Sequence, residues 1–145
     1  MAIRLKLLHK DASLPTRETE GSVGFDIRAH LTEPITIEPM ATMKIGSGFA
    51  VALDAGYAAF IYARSSLGVN KGIVPANCVG VIDSDYRGEV IVGLKNMSND
   101  PYTVNPNDKI AQMVVSKCEI DGIIVCDELD DTARGSGGFG STGNE

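Results

Sequence analysis

Positive charge is scarce in this chain: 13 Lys and Arg stand against 19 Asp and Glu, a formal net charge of −6. No basic surplus is present to displace the counterions of a nucleic-acid duplex, which argues against such a partner. A small anionic ligand stays open, because it needs only a few local cations and backbone N–H groups. Cysteine is sparse as well. Cys78, Cys118 and Cys126 are odd in number and widely spaced, so they fit neither a disulfide frame nor a zinc pattern. They are expected to be small buried hydrophobes in a reducing compartment. The 2 histidines, His9 and His30, are isolated from one another, and no metal site is expected on them. Long apolar runs are missing too. The most apolar stretch, residues 48–63, is broken by Asp54 and Gly56 and is too short to span a bilayer. An alternating pattern begins at Met1 and leaves no room for a signal peptide. The expectation is a cytoplasmic protein with no membrane or nucleic-acid partner.

What is present is period-two alternation. Ile3, Leu5 and Leu7 alternate with Arg4 and Lys6, and Ile35 and Ile37 flank Thr36. Short apolar runs follow: FAVAL, AAFIYA, EVIVGL, YTV, IAQMVV and GIIVCDEL. Turn residues separate them, among them Glu33-Pro34, Glu38-Pro39, Asp54-Ala55-Gly56, Asn99-Asp100-Pro101 and Asn105-Pro106-Asn107-Asp108. Many short strands at close intervals predict an all-β, antiparallel sandwich or barrel. The 145 residues are enough for one domain that buries roughly two-thirds of its unfolded surface. One short helix is expected around RSSLG, with Ser65 or Ser66 as its N-cap. The acidic run CDELDD, residues 126–131, reads as a solvated strand end and sets off a glycine-rich tail.

Five segments carry more chemistry than a plain sandwich needs. GSVGFDIRA (residues 21–29) puts Asp26 between apolar neighbours at a strand start. ARSSLGVNKGI (residues 63–73) offers an arginine and two serines where free helical N–H groups favour an anion; an ordinary cap with a surface arginine is the other reading. NCVGVIDSDYRGEV (residues 77–90) sets Tyr86 beside Asp83 and Asp85, two carboxylates that would share one face of a strand. Paired carboxylates suit acid–base work or a metal, whereas solvated aspartates in a hairpin turn are the plainer alternative. DKIAQMVV (residues 108–115) places Gln112 among apolar residues, where its amide must pair internally or hold a ligand or water. The tail RGSGGFGSTG (residues 134–143) is costly to order, yet Arg134 suits a phosphate, the glycine N–H groups can cradle one, and Phe139 can stack on a base. It is not a Walker-A loop, because it lacks the Gly-Lys-Ser/Thr ending.

In this order the five segments resemble the five motifs of the trimeric deoxyuridine triphosphatases (dUTPases), and the likeness covers nearly the whole chain. The resemblance implies a β jelly roll with one short helix, assembled as a homotrimer whose active sites lie at subunit boundaries. A core over residues 1–131 would carry a flexible arm, residues 132–145, that closes over bound nucleotide. The implied reaction is Mg²⁺-dependent hydrolysis of dUTP to dUMP and pyrophosphate by water attack on the α-phosphate. Such activity limits uracil incorporation into DNA and supplies dUMP for dTTP synthesis.

Carried over by position, the resemblance implies Asp83 as general base, with Gln112 and Ser65 beside it in catalysis. Arg64, Ser65 and Ser66 would contact the phosphate chain, and Asn77 would read the uracil edge. Tyr86 would pack under the deoxyribose and exclude a 2′-hydroxyl. Arg134, Gly140, Ser141 and Thr142 would hold the terminal phosphate while Phe139 stacks on uracil. Asp26 would hold a water bound to Mg²⁺, an ion kept mainly by triphosphate and water. Three positions depart from the commonest pattern: Phe25 for tyrosine, Lys109 for arginine and Ser66 for glycine. RSSL is also similar to dCTP deaminases, for which Glu89 would be the acid/base, although IDSDYRG is of the dUTPase type. A nucleotide-gated protein that engages a regulatory protein partner is the alternative from another class, and a purely structural β trimer needs none of these groups.

Overall fold

The alternating sequence folds as ten strands and one helix in the computed structural model, which describes residues 3–138. In chain order these are β1 (Arg4–Leu7), β2 (Phe25–Arg28), β3 (Ile35–Ile37), β4 (Thr42–Ala52), β5 (Tyr57–Tyr62), α1 (Ser65–Lys71), β6 (Ile73–Pro75), β7 (Gly80–Ile82), β8 (Glu89–Asn96), β9 (Tyr102–Val104) and β10 (Lys109–Lys117). One sheet has the order β1-β4-β8-β6 and the other β2-β10-β5-β7, while β3 and β9 form a separate ribbon. Every pairing is antiparallel. The expected jelly roll is therefore present.

Alternation decides which face each strand buries. In β8, Val90, Val92, Leu94 and Asn96 point inward while Glu89, Ile91, Gly93 and Lys95 face out. Val90, Val92 and Leu94 meet Ile45, Phe49 and Val51 of β4 and Ile27, Ile61 and Met113 of the opposite sheet in one core. Burying each such side chain contributes roughly 1.5–3 kcal/mol. Among the described residues no helix is long and apolar enough to cross a membrane.

Four local expectations change. The N-cap of α1 is Arg64, whose side chain makes no cap hydrogen bond, so neither Ser65 nor Ser66 caps the helix. The helix ends where Gly72 takes φ 67°, a left-handed conformation that glycine adopts without penalty. GIIVCDEL is not a strand: regular structure among the described residues ends at Lys117, and Ile123, Ile124 and Val125 are almost fully exposed. An apolar run becomes a strand only where a neighbouring strand accepts its hydrogen bonds. Cys78 and Cys126 are exposed and Cys118 half-buried, and all three thiols are free. The two histidines are not isolated in space. Their rings stack at 4.5 Å, and His30 Nε2 lies 3.1 Å from Asp11 Oδ1.

Candidate active site

Two cavities collect the predicted residues. The first, of about 450 Å³, lies along the hairpin between β7 and β8 and is lined by Asn77, Asp83, Tyr86 and Glu89. Strand β7 stops at Ile82, and the Tyr86 N–H then donates to the Asp83 carbonyl at 3.2 Å. Of the two readings of Asp83 and Asp85, the plainer one holds: they do not share a strand face but sit at two corners of a hairpin turn, both exposed. Arg87 secures the turn by donating from Nη1 to the carbonyls of Ser84 (2.7 Å) and Tyr86 (2.8 Å). The Tyr86 hydroxyl donates to the Glu89 carbonyl at 3.1 Å. Its ring folds back over Gly88, where any Cβ would collide with it. Asn77 enters from the tight bend after β6, in which Cys78 has φ 62°.

The second cavity, of about 540 Å³, contains Asp26, Arg64, Ser65, Ser66, Lys109 and Gln112. Register places Gln112 directly opposite Asp26 on β2 and opposite Tyr62 on β5. Arg64 follows β5 by two residues and donates from Nε to Asp26 Oδ1 at 2.9 Å, and its Nη1 lies 3.5 Å from the Ser66 hydroxyl. Lys109 Nζ sits 2.7 Å from Asp26 Oδ2 and 2.5 Å from Glu18 Oε2. The amide of Gln112 donates from Nε2 to the Ala63 carbonyl at 3.0 Å. Its Oε1 then turns toward Gly24, where a Cβ would fall 2.8 Å from it.

Lys109 and Glu18 were not among the predicted site residues. The signal for Lys109 is structural: the β2–β10 register slips between Lys109 and Ala111, so Ile110 and Ala111 are both buried. That bulge re-aims Lys109 toward Asp26. Nothing in the sequence around Glu18 distinguishes it from other surface carboxylates.

Burial by itself would raise the Asp26 pKa. The hydrogen bond from Lys109 and the charge of Arg64 outweigh it and hold the carboxyl below its ordinary value. Lys109 is raised in turn, chiefly by its bond to Asp26 and then by Glu18. Because the folded pKa of Asp26 lies below the unfolded one, its stabilisation is complete above the unfolded value of about 4. It is lost as pH falls through the folded value. Asp26→Asn will therefore lose less urea resistance than the parent between about pH 5 and about pH 3. Equal losses in paired unfolding curves would remove Asp26 from the acid limb.

The structure thus brings Asp26, Arg64, Ser65, Ser66 and Gln112 together, and separately Asn77, Asp83 and Tyr86. Arg134 lines neither cavity. It is exposed in a turn where its Nε donates to the Gly137 carbonyl at 2.9 Å. Phe139, Gly140, Ser141 and Thr142 lie outside the described residues.

The chain is similar to known proteins along most of its length. Residues 10–143 fit the family model described as dUTPase. The deoxyuridine 5'-triphosphate nucleotidohydrolase of Hahella chejuensis is 46% identical over 97% of this chain and 93% of its own. The solved Staphylococcus bacteriophage 80alpha dUTPase with dUPNHPP superposes at a TM-score of 0.89 and 24% identity, over 98% of both chains. A dUTPase from phage phi11 of S. aureus, described with a structural Mg(II) ion, has a TM-score of 0.81 and 22% identity, over 90% of this chain and 100% of its own. A jelly roll, a hairpin cavity and a cation-lined cavity thus occur in a sequence that matches one family almost from end to end, and the chain belongs to the dUTPases.

Proposed function

We propose a division of labour for the hydrolysis of dUTP to dUMP and pyrophosphate, the reaction that dUTPase membership brings to this chain. The hairpin cavity takes the deoxyuridine and the cation-lined cavity takes the phosphates. Tyr86, folded back over Gly88, presents a ring face to the sugar and leaves no space for a 2′-hydroxyl. Asn77 pairs with the uracil edge. Cytosine reverses a donor and an acceptor there and leaves buried groups unpaired, a strong basis for rejection. Asp83 accepts the proton of the attacking water, which Gln112 Oε1 helps to orient. Arg64, Ser65 and Ser66 hold the phosphate chain and stabilise the departing pyrophosphate. Arg134 and residues 139–142 complete the enclosure as an arm, residues 132–145, attached to a core over residues 1–131.

The observation that carries this reading is the separation of the two cavities. In the ladder β7–β5–β10, Ile82 pairs with Ala59 and Gln112 with Tyr62. Asp83, one residue past Ile82 and so level with Ala58, is thus four residues, about 13 Å, along the strands and about 10 Å across them from Gln112. Within one chain these two side chains do not face a common phosphorus. Hydrogen-bond reach between a base, its water and the phosphate is about 3 Å per contact. Each active site therefore takes its hairpin from one copy and its cation cavity from another, in keeping with a homotrimer.

The donor set near Asp26 suits Mg²⁺ held at one remove. Its carboxylate is ionised and already engaged by Arg64 and Lys109. Among the described residues no group of three His, Cys, Asp or Glu side chains converges as a metal cage. Asp26 would accept a hydrogen bond from an ion-bound water, and the ion would supply charge neutralisation on the phosphates. The free thiols of Cys78, Cys118 and Cys126 support a cytoplasmic assignment.

Purified protein with Mg²⁺ is given dUTP, dCTP, dTTP and UTP separately, and products are resolved by anion exchange. dUMP and pyrophosphate from dUTP alone are the expected products. Deamination of dCTP would overturn the assignment. Tyr86→Ala is expected to narrow the dUTP-over-UTP preference by at least about tenfold. An unchanged ratio would move sugar recognition away from Tyr86.

A further inference from the structure

Strand β8 begins at Glu89, and three contacts converge on that residue. Its carboxylate Oε1 accepts the Gly48 N–H at 2.7 Å. Its backbone carbonyl accepts the Tyr86 hydroxyl. Its side chain lies over Gly46, where a Cβ would stand 2.5 Å from Oε1, so only glycine leaves the carboxylate its place. The β4–β8 ladder is interrupted at this point. Gly46 pairs with Ile91 and Ala50 with Glu89, so four steps along β4 answer two along β8. Gly48, buried within that bulge at φ 74°, directs its N–H to the Glu89 carboxylate instead of to a strand carbonyl. The side chain of Glu89 thus closes a gap in the sheet beside the hairpin that carries Asp83 and Tyr86.

We infer that Glu89 is a positioning residue for dUTP hydrolysis: its carboxylate clamps the hairpin of residues 83–88 to the bulge of β4. This rests on the assignment of Asp83 and Tyr86 given above. The clamp acts on two properties at once, because Tyr86 is anchored to the Glu89 carbonyl and Asp83 closes the same turn. It does not act on the cation-lined cavity, which stands on β2, β5 and β10. Committed to a backbone N–H, the Glu89 Oε1 serves hairpin geometry rather than the acid–base chemistry of a deaminase.

The test compares Glu89→Ala, Glu89→Gln and Gly46→Ala as full-length proteins for kcat, the dUTP-over-UTP ratio and inhibition by pyrophosphate. Glu89→Ala is expected to lower kcat by about 10–10²-fold, the scale of a misplacement near 1 Å. The sugar ratio should fall with it, while inhibition by pyrophosphate stays within about twofold, as expected for the separately built phosphate cavity. Glu89→Gln keeps the accepting oxygen and should retain most of the activity. Gly46→Ala should reproduce the alanine variant by pushing the carboxylate away from the opposite side. A folded Glu89→Ala protein with parental kcat and sugar ratio would overturn the clamp, as would a glutamine variant impaired as badly as the alanine one. Should the parent turn over no nucleotide, the hydrolase reading fails by itself; the clamp is then read from dUMP-over-UMP affinity, which must fall in Glu89→Ala.

Discussion

Replacing Asp83 by asparagine will leave nucleotide binding in place and lower turnover by about 10²–10⁴-fold, the usual contribution of a general base. Asparagine matches aspartate in size, so the turn closed by Tyr86 N–H on the Asp83 carbonyl is untouched, since that bond is made by the backbone. Arg87 likewise holds the turn through the carbonyls of Ser84 and Tyr86. What changes is one atom at the corner of the hairpin. A carboxylate oxygen that can take a proton becomes an amide nitrogen that cannot. Single-turnover hydrolysis beside equilibrium binding of a non-hydrolysable dUTP analogue separates the two effects. Parental turnover in this variant would assign proton removal to another group.

Ending the chain before Arg134 will lower hydrolysis by about 10²–10³-fold, the scale seen when a group that stabilises transition-state charge is removed. The core should stay folded. Residues 134–138 are mostly exposed, and the hydrogen bonds of Arg134 and Gly135 run to Gly137 and Thr132 within the same turn. In the described residues, then, the arm contributes little to the sheets. Its proposed role begins with nucleotide, when Arg134 pairs with phosphate and residues 139–142 join the enclosure, excluding water around the reacting phosphorus. Glycine richness fits that use, because backbone N–H groups can approach phosphate closely. Ordering such a segment costs entropy, so truncation should also weaken the gain in affinity that comes from closure. Unchanged kcat in a folded, truncated protein would make the arm idle.

Much of this protein was legible from periodicity and short motifs. The alternation of Ile35 and Ile37 about Thr36 leaves one apolar face on that strand, and a two-residue side-chain period admits only one way to bury it. The antiparallel sheets follow from that and from the turn residues between runs. The residue types in the five segments suggested phosphate and base recognition, and the resemblance to the dUTPases added a sugar contact at Tyr86. Register and partnership were not legible, since both depend on residues far away in the chain. The run GIIVCDEL has strand composition and remains unpaired among the described residues, because a strand is defined by what it bonds to. Lys109 reaches Asp26 only through a bulge, and Glu89 meets Gly48 only where the β4–β8 ladder is interrupted. Local sequence thus determined which faces are buried and which chemistry is present. The tertiary structure decided which groups meet, because long-range pairing sets strand register: a slip of one residue turns every side chain beyond it to the other face, and a slip of two changes its partners.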